Sequence, residues 1–419
     1  MRQTGGVRAM VLVLGAVACA TLPVPGVGGP TRAAADGGYR TSQFLWRATG
    51  GLEQWELGPG TTRATDGRLA LDPATSQGAT DAAGAYHGKN FYNGGPYVFG
   101  EVTSPLTSAG FAVTRAVPSW DADTPPGSWI ELSLRARLAG GRLTRWYNAG
   151  VWAADGSTVA RHSVKDQDDG DAALATDTLV IPPGKPAAEA LQVKVRLMSA
   201  RPGAVPSLRL ATVALSSTPQ ERPATPAGDP ARWGKVLDVT ACSQSYPDGG
   251  EGWCSPTSTS MIVGYWAHDA GPCEARVRAA VDGVFDWVYN GHGNWPFNTA
   301  YAAGRGLEAW VTRFPSLADA ESWIAAGVPL AISYSWKAGE LTGAPVRSSE
   351  GHLGVLVGFD AHGDPVVNDP AARSTAELRR TYKRQELENV WVGHSGGTAY
   401  LAYPPGWPTP WDRREGSRP

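Results

Sequence analysis

Between about Tyr39 and Ser216 the apolar positions recur at every second residue. Ile130, Leu132, Leu134, Ala136 and Leu138 alternate with Glu131, Ser133, Arg135 and Arg137, and Leu191, Val193, Val195 and Leu197 alternate with Gln192, Lys194 and Arg196. A period of two sends the apolar set to one face of a strand and the polar set to the other. Leu208-Arg209-Leu210 begins a further run, and Gly140-Gly141, Asp155-Gly156 and Pro182-Pro183-Gly184 supply turns between runs. No long helical period interrupts them. The pattern predicts an all-β sandwich over 39–216, jelly-roll-like in its many short strands. Trp46, Trp55, Trp120, Trp129, Trp146 and Trp152 lie in this half. Such rings fill sandwich cores more often than they form a sugar-binding platform.

Residues 217–233 carry Pro219, Pro223, Pro226 and Pro230 among small and polar neighbours, which reads as a semi-rigid linker. Few contacts normally cross such a boundary, so the part from Gly234 onward is expected to fold without the sandwich. That second domain, 234–404, mixes periods and is followed by a tail, 405–419. Val236 to Val239 reads as a strand. Ser255-Pro256 opens a helix to about Ala267, with proline suited to the first turn. Ser316 and Asp319 form a capping pair for a helix over Leu317 to Ala326, stopped by Gly327 and Pro329. Val328 to Ser335, Leu353 to Phe359, Pro365 to Asn368 and Thr398 to Tyr403 read as strands.

Composition narrows the class. Apolar residues make up 42% and charged residues 18%, the balance of a globular chain. The formal charge of −2 supplies no field for nucleic acid or an anionic membrane. Arg379, Arg380, Lys383 and Arg384 are interleaved with Glu377, Glu386 and Glu388, as on a solvated helix face. No phosphate-binding glycine loop is present, so no nucleotide is expected. Arg2 and Arg8 precede an apolar run from Met10 to Leu22, too short to span a bilayer. Ala18-Cys19-Ala20 and Ala33-Ala34-Ala35 are small-residue cleavage sites, so 1–35 reads as an export signal and the mature protein as secreted, with no membrane span.

Export leaves three cysteines, Cys242, Cys254 and Cys273. An odd number in an oxidising compartment points to a free thiol with a role. Cys254 stands at the start of the helix opened by Ser255-Pro256, where the N-terminal partial charge favours a thiolate and free N–H groups can bind an oxyanion. His352 directly precedes an apolar strand. Asp369 lies seventeen residues later, at the end of the next strand, so both fall toward one end of a hairpin. If they meet, the carboxylate orients the imidazole and the imidazole activates the thiol. Asn368 is an alternative orienting group. Gln244, ten residues before the cysteine, could offer its amide to an oxyanion hole. His268, His292, His362 and His394 have no partner at metal-ligand spacing, so neither metal nor cofactor is assigned.

Gln244, Trp253-Cys254-Ser255-Pro256-Thr257 with Met261, Gly351-His352-Leu353 with Val355 to Asp360, and Val367-Asn368-Asp369-Pro370 together resemble the C39-like cysteine peptidases, relatives of the peptidases that process bacteriocin leaders. Gly293 to Ala300 resembles secreted actinobacterial members. The resemblance covers about Leu237 to Pro404. It implies a papain-like α+β fold, with Cys254 as nucleophile, His352 as base, Asp369 as orienting acid and Gln244 as oxyanion donor. Ser255 departs from the glycine usual after the cysteine, and the gap from Gln244 to Cys254 is longer than usual. The expected activity is acyl transfer on a peptide or protein substrate, with the sandwich positioning the enzyme on a wall polymer or partner. Rival expectations are an amidase or transferase on cell-wall peptides, and a non-catalytic binding or adhesion protein. A disulfide between Cys242 and Cys273 is the one pairing that leaves the nucleophile free. The alternative is two separate buried thiols.

Overall fold

A computed structural model describes residues 38–218, 226–247, 249–372 and 374–411. The expected export signal, part of the linker and the end of the tail lie outside the described residues. The N-terminal half contains two seven-stranded antiparallel sheets. In the first, the strands Arg115–Asp123 and Ser207–Ser216 are central; in the second, Ser128–Leu138 and Ala188–Ser199 are. The alternation read along Ser128–Leu138 sends Ile130, Leu132, Leu134, Ala136 and Leu138 into a core shared with Trp120, Val213 and Leu215 of the first sheet. The opposite face of that strand is partly covered too. Trp129 joins a smaller cluster with Tyr92, Val151, Val159 and Met198, and Glu131 is buried beneath the Tyr92 hydroxyl. Trp46, Trp55, Trp120, Trp129 and Trp152 are buried, which matches the core-filling use of these rings. Trp146 is half-buried against the cations of Arg135 and Lys194.

The C-terminal half is a six-stranded antiparallel sheet in the order Glu308–Arg313, Thr398–Tyr403, Leu330–Trp336, Ser349–Phe359, Pro365–Asn368 and Arg379–Thr381. Three helices precede most of it, α1 (Cys254–Trp266), α2 (Cys273–Val284) and α3 (Trp295–Ala303). A fourth, α4 (Leu317–Ala325), starts at the capping pair, with the Ser316 hydroxyl accepting from the Asp319 amide at 3.3 Å.

Two expectations are corrected. Val236 to Val239 forms only one bridge, to Gly358. The Val239 amide turns back onto the Leu237 carbonyl, so no ladder continues. The basic cluster does not sit on one solvated helix face. It is split between the strand Arg379–Thr381 and a five-residue helix, α5 (Arg384–Glu388). Arg379 bonds Asn368 and the Val239 carbonyl, and Arg384 pairs with buried Glu321 at 2.8 Å.

The two halves nevertheless pack closely against each other. The first sheet is buried on both faces: Val117, Leu210 and Ala214 turn away from the sandwich core and join the core of the C-terminal half. The edge strand Glu308–Arg313 has its Ala309 and Val311 amides accepted by Asp121 and Ser119, at 3.2 and 3.0 Å. Arg313 donates to the Ser216 hydroxyl at 2.7 Å, and the Tyr39 hydroxyl donates to the Gly396 carbonyl at 2.7 Å. In the other direction, Phe297 of α3 enters the sandwich core against Trp120 and Trp152. Local sequence at a proline-rich stretch carries no signal for packing between distant faces.

Cys242 and Cys273 form a disulfide, and Cys254 is free. The bond ties the segment before Cys254 to the first residue of α2, with Cα atoms 5.6 Å apart. In the chain-entropy model a loop of about 32 residues gains about 3.5–4 kcal/mol. Alkylation of non-reduced protein followed by peptide mapping is expected to label Cys254 alone among these three. Label on Cys242 or Cys273 would contradict the bond.

Candidate active site

Cys254 is the first residue of α1, so its sulfur sits among the unpaired N–H groups of a helix start. Burial raises its pKa, but the His352 ring and the backbone N–H groups of Leu353 and Ser255 outweigh this and hold the thiol below its ordinary range. The helix behind it is polar for a buried element, with Ser255, Thr257, Ser258, Thr259 and Ser260 all inside. Small side chains allow close packing, and most of these hydroxyls have partners. Ser258 donates to the Leu353 carbonyl at 3.2 Å, Thr259 to the Ser255 carbonyl at 3.0 Å and Ser260 to the Thr257 carbonyl at 2.8 Å. Ser255 pairs with the Tyr400 hydroxyl at 2.8 Å, so the Cβ and hydroxyl that depart from the usual glycine have a built place.

His352 lies on the strand Ser349–Phe359 and is only 4% exposed. Its Nε2 meets Asp369 Oδ1 at 2.8 Å. The Cys254 side chain lies close enough to the ring for each to shift the other's pKa. Tyr334 and Trp336 pack edge-on against it, with centroids at 5.3 and 5.6 Å. Burial disfavours the imidazolium, yet the Asp369 carboxylate and the Cys254 sulfur push its pKa up to about 10. Asp369 is fully buried. Burial pushes its carboxyl up, but His352, Tyr382 and the Ala371 amide hold it at about 2. Its Oδ2 accepts from Tyr334 at 2.9 Å and Tyr382 at 2.7 Å. The thiol is shifted down and the imidazole up, the directions that favour a thiolate–imidazolium pair.

The structure therefore brings Cys254, His352 and Asp369 together. Asn368 points elsewhere: its amide donates to the Val239 carbonyl at 2.9 Å and its oxygen accepts from Arg379 at 3.0 Å. Gln244 is held beside the site by its backbone amide on the Pro370 carbonyl at 2.9 Å. Its side-chain nitrogen donates to the Gly250 carbonyl at 3.0 Å, an oxygen that also accepts from the Trp253 amide at 3.1 Å. Sequence reasoning missed Tyr334, Trp336 and Tyr382. The first two alternate along an apolar strand and read as core, and nothing local marks Tyr382 as a partner of Asp369.

Two family models match the chain, a peptidase C39 N-terminal domain over residues 45–216 and the peptidase C39-like family over residues 236–398. The chain belongs to the C39-like peptidase family. The C39-like model spans the segment that supplies Cys254, His352, Asp369 and Gln244, and the N-terminal model spans the two-sheet half. No curated protein matches the chain. Among solved structures, a carbohydrate-binding module of the β-sandwich superfamily aligns with 41% of this chain and 72% of its own, at 10% identity and a TM-score of 0.16. A likeness that low transfers neither fold nor ligand to this C39-like chain. Among the described residues no helix is long and apolar enough to cross a membrane.

Proposed function

We propose that the protein is a secreted cysteine peptidase of papain-like fold that cleaves an amide bond through a thioester on Cys254. One observation carries this reading: the buried His352 imidazole is bonded to the buried Asp369 carboxylate at 2.8 Å and lies close enough to the Cys254 side chain for each to shift the other's pKa. The thiolate attacks the substrate carbonyl carbon, and the carbonyl electron pair moves onto oxygen. The backbone N–H of Cys254 and the amide of Gln244 receive that oxyanion. Collapse of the intermediate breaks the C–N bond, and the His352 imidazolium gives its proton to the departing amine. Neutral His352 then takes a proton from water, whose oxygen attacks the thioester, releasing the acid and restoring the pair. Asp369 holds the imidazole in orientation throughout. The helix-borne thiol packed against an antiparallel sheet that supplies the histidine and the acid supports the papain-like assignment. The disulfide is consistent with secretion.

The test is to profile cleavage of a mixed peptide library by the full chain alongside the rate at which a small alkylating reagent labels Cys254. Cleavage together with labelling that is already fast at neutral pH supports the reading. Labelling no faster than that of a free cysteine, with no cleavage, overturns it.

The pH dependence follows from the same pair. His352 is raised from 6.5 to about 10, so its ion pair is fully present below 6.5 and is lost as pH rises through about 10. Asp369 is lowered from 3.8 to about 2, so its contribution is present above 3.8 and is lost as pH falls through about 2. Activity is expected to lose its alkaline limb near pH 10, where the leaving group no longer receives a proton. Asp369→Asn should move that limb toward neutrality and leave more activity than loss of the histidine. An alkaline limb unmoved in the Asn variant would contradict the role given to Asp369.

A further inference from the structure

Beside the nucleophile, between α2 and α3, lies the loop 285–294, and what holds it comes largely from the other half of the chain. Asp286 is fully buried and folds the loop around its carboxylate, which accepts the amides of Val288 and Tyr289 at 3.1 Å and the Asn294 side chain at 2.9 Å. The same carboxylate accepts the amide of Ser163, from the two-sheet half, at 3.0 Å. Trp287 is packed against Tyr86, Lys89 and His162 of that half. Asp177, on the turn between the strands Ala173–Ala175 and Thr178–Val180, is buried and accepts the Trp295 amide at 2.8 Å, fixing where the loop ends and α3 begins. Asn298 of α3 ties the His292 carbonyl to Thr259 of the nucleophile's own helix.

What the loop presents is aromatic. Among the described residues the exposed large apolar side chains include two aromatics, Phe285 at 38% and Tyr289 at 49%, and both belong to this loop. His292 lies against Phe285 at 5.2 Å and against Trp253, the neighbour of the nucleophile, at 6.2 Å. A Cβ on Gly291 would come within 2.8 Å of the Tyr289 ring, and one on Gly293 within 3.2 Å of its hydroxyl, so both glycines leave space for that side chain. Burial raises the Tyr289 phenol pKa, and the charges of Asp177 and Cys254 raise it further. Exposed aromatics on a loop that packs against the neighbour of the nucleophile are a surface for an apolar ligand group.

We propose that Phe285, Tyr289 and His292 form a substrate-contacting wall that receives an apolar, preferably aromatic, side chain next to the scissile bond, and that Asp177 of the two-sheet half is the positioning residue for that wall. The inference rests on the peptidase reading above. It assigns the two-sheet half a part in substrate selection at the active site itself.

The test uses the full chain with paired peptides that differ only in one aromatic or acidic side chain near the cleaved bond. Tyr289→Ala is expected to raise KM for the aromatic peptide about fivefold to tenfold, with kcat within twofold and the rate of Cys254 alkylation unchanged. Asp177→Ala should give the same split. Asp177→Asn, which keeps an acceptor for the Trp295 amide, should restore KM. The double variant Asp177→Ala with Tyr289→Ala should be no worse than Tyr289→Ala alone, because both act on one contact. If Asp177→Ala does not fold, Asp177→Ser takes its place, and the exposed Tyr289 variant still decides the substrate contact. Unchanged KM in Tyr289→Ala, or additive losses in the double variant, overturns the proposal. Binding of the same peptides to the Cys254→Ala protein separates the two readings. Tyr289-dependent binding without any cleavage by the wild type would leave the wall standing and sink only the peptidase assignment.

Discussion

Cys254→Ala is expected to lower kcat/KM on any cleaved peptide by at least about four orders of magnitude while leaving the thermal transition close to that of the parent. On the proposed mechanism the loss is large because the thiol sulfur forms the bond, and the residual rate would come only from binding and the oxyanion site. His352→Ala should cost about as much, and the two together little more, since members of one unit are not additive. The substitutions differ in what they leave behind. Alanine at 254 removes a partly exposed side chain from a helix start. Alanine at 352 leaves the buried Asp369 carboxylate without its cation, so that variant should also melt lower. Steady-state cleavage assays and melting curves on both proteins check this. Near-parental turnover by Cys254→Ala would remove the mechanism altogether.

Much of the candidate site was legible in the chain because its placement depends on local signals. Pro256 just after Cys254 marks a helix start, and that same start gives the sulfur its electrostatic setting. His352 and Asp369 flank a short turn between two apolar strands, so hairpin geometry alone brings them near each other. The paired register, Val355 opposite Asn368, places them at the open end. The alternation in the first half was equally readable, because a sheet with one face on a core writes its period into the sequence. What was not legible is whatever depends on faces meeting across long separations. The strand Arg115–Asp123 is buried nearly throughout because a second layer covers its other face. Ser163, Asp177 and Asp121 look like ordinary turn or strand polar residues until the opposite half supplies their partners. Helix α3 opens on Trp295-Pro296 behind its Asn294 cap, a local start signal like that of α1.

Those long-range contacts argue against the expectation that the C-terminal half folds alone. A fragment spanning residues 234–419 is expected to be insoluble, or to lack the cooperative melting transition shown by the full chain. Cutting at the linker would expose Phe297, whose side chain lies in the sandwich core, at a cost of about 1.5–3 kcal/mol for one large apolar group. It would strip the Ala309, Val311 and Trp295 amides of their Asp121, Ser119 and Asp177 acceptors, and Asp286 of its Ser163 donor. Each such buried group left unpaired costs about 1–3 kcal/mol unless water reaches it. Together these are comparable to the ~5–15 kcal/mol that holds a whole domain. The uncovered strand Glu308–Arg313 would also become an open sheet edge with apolar neighbours, a template for aggregation. Differential scanning calorimetry on the fragment and the full chain, with Cys254 labelling as a second readout, distinguishes the outcomes. A single cooperative transition for the full chain and none for the fragment is the expected result. A fragment that melts cooperatively and labels at the parental rate would show that the contacts between halves are dispensable, and with them the part given to Asp177.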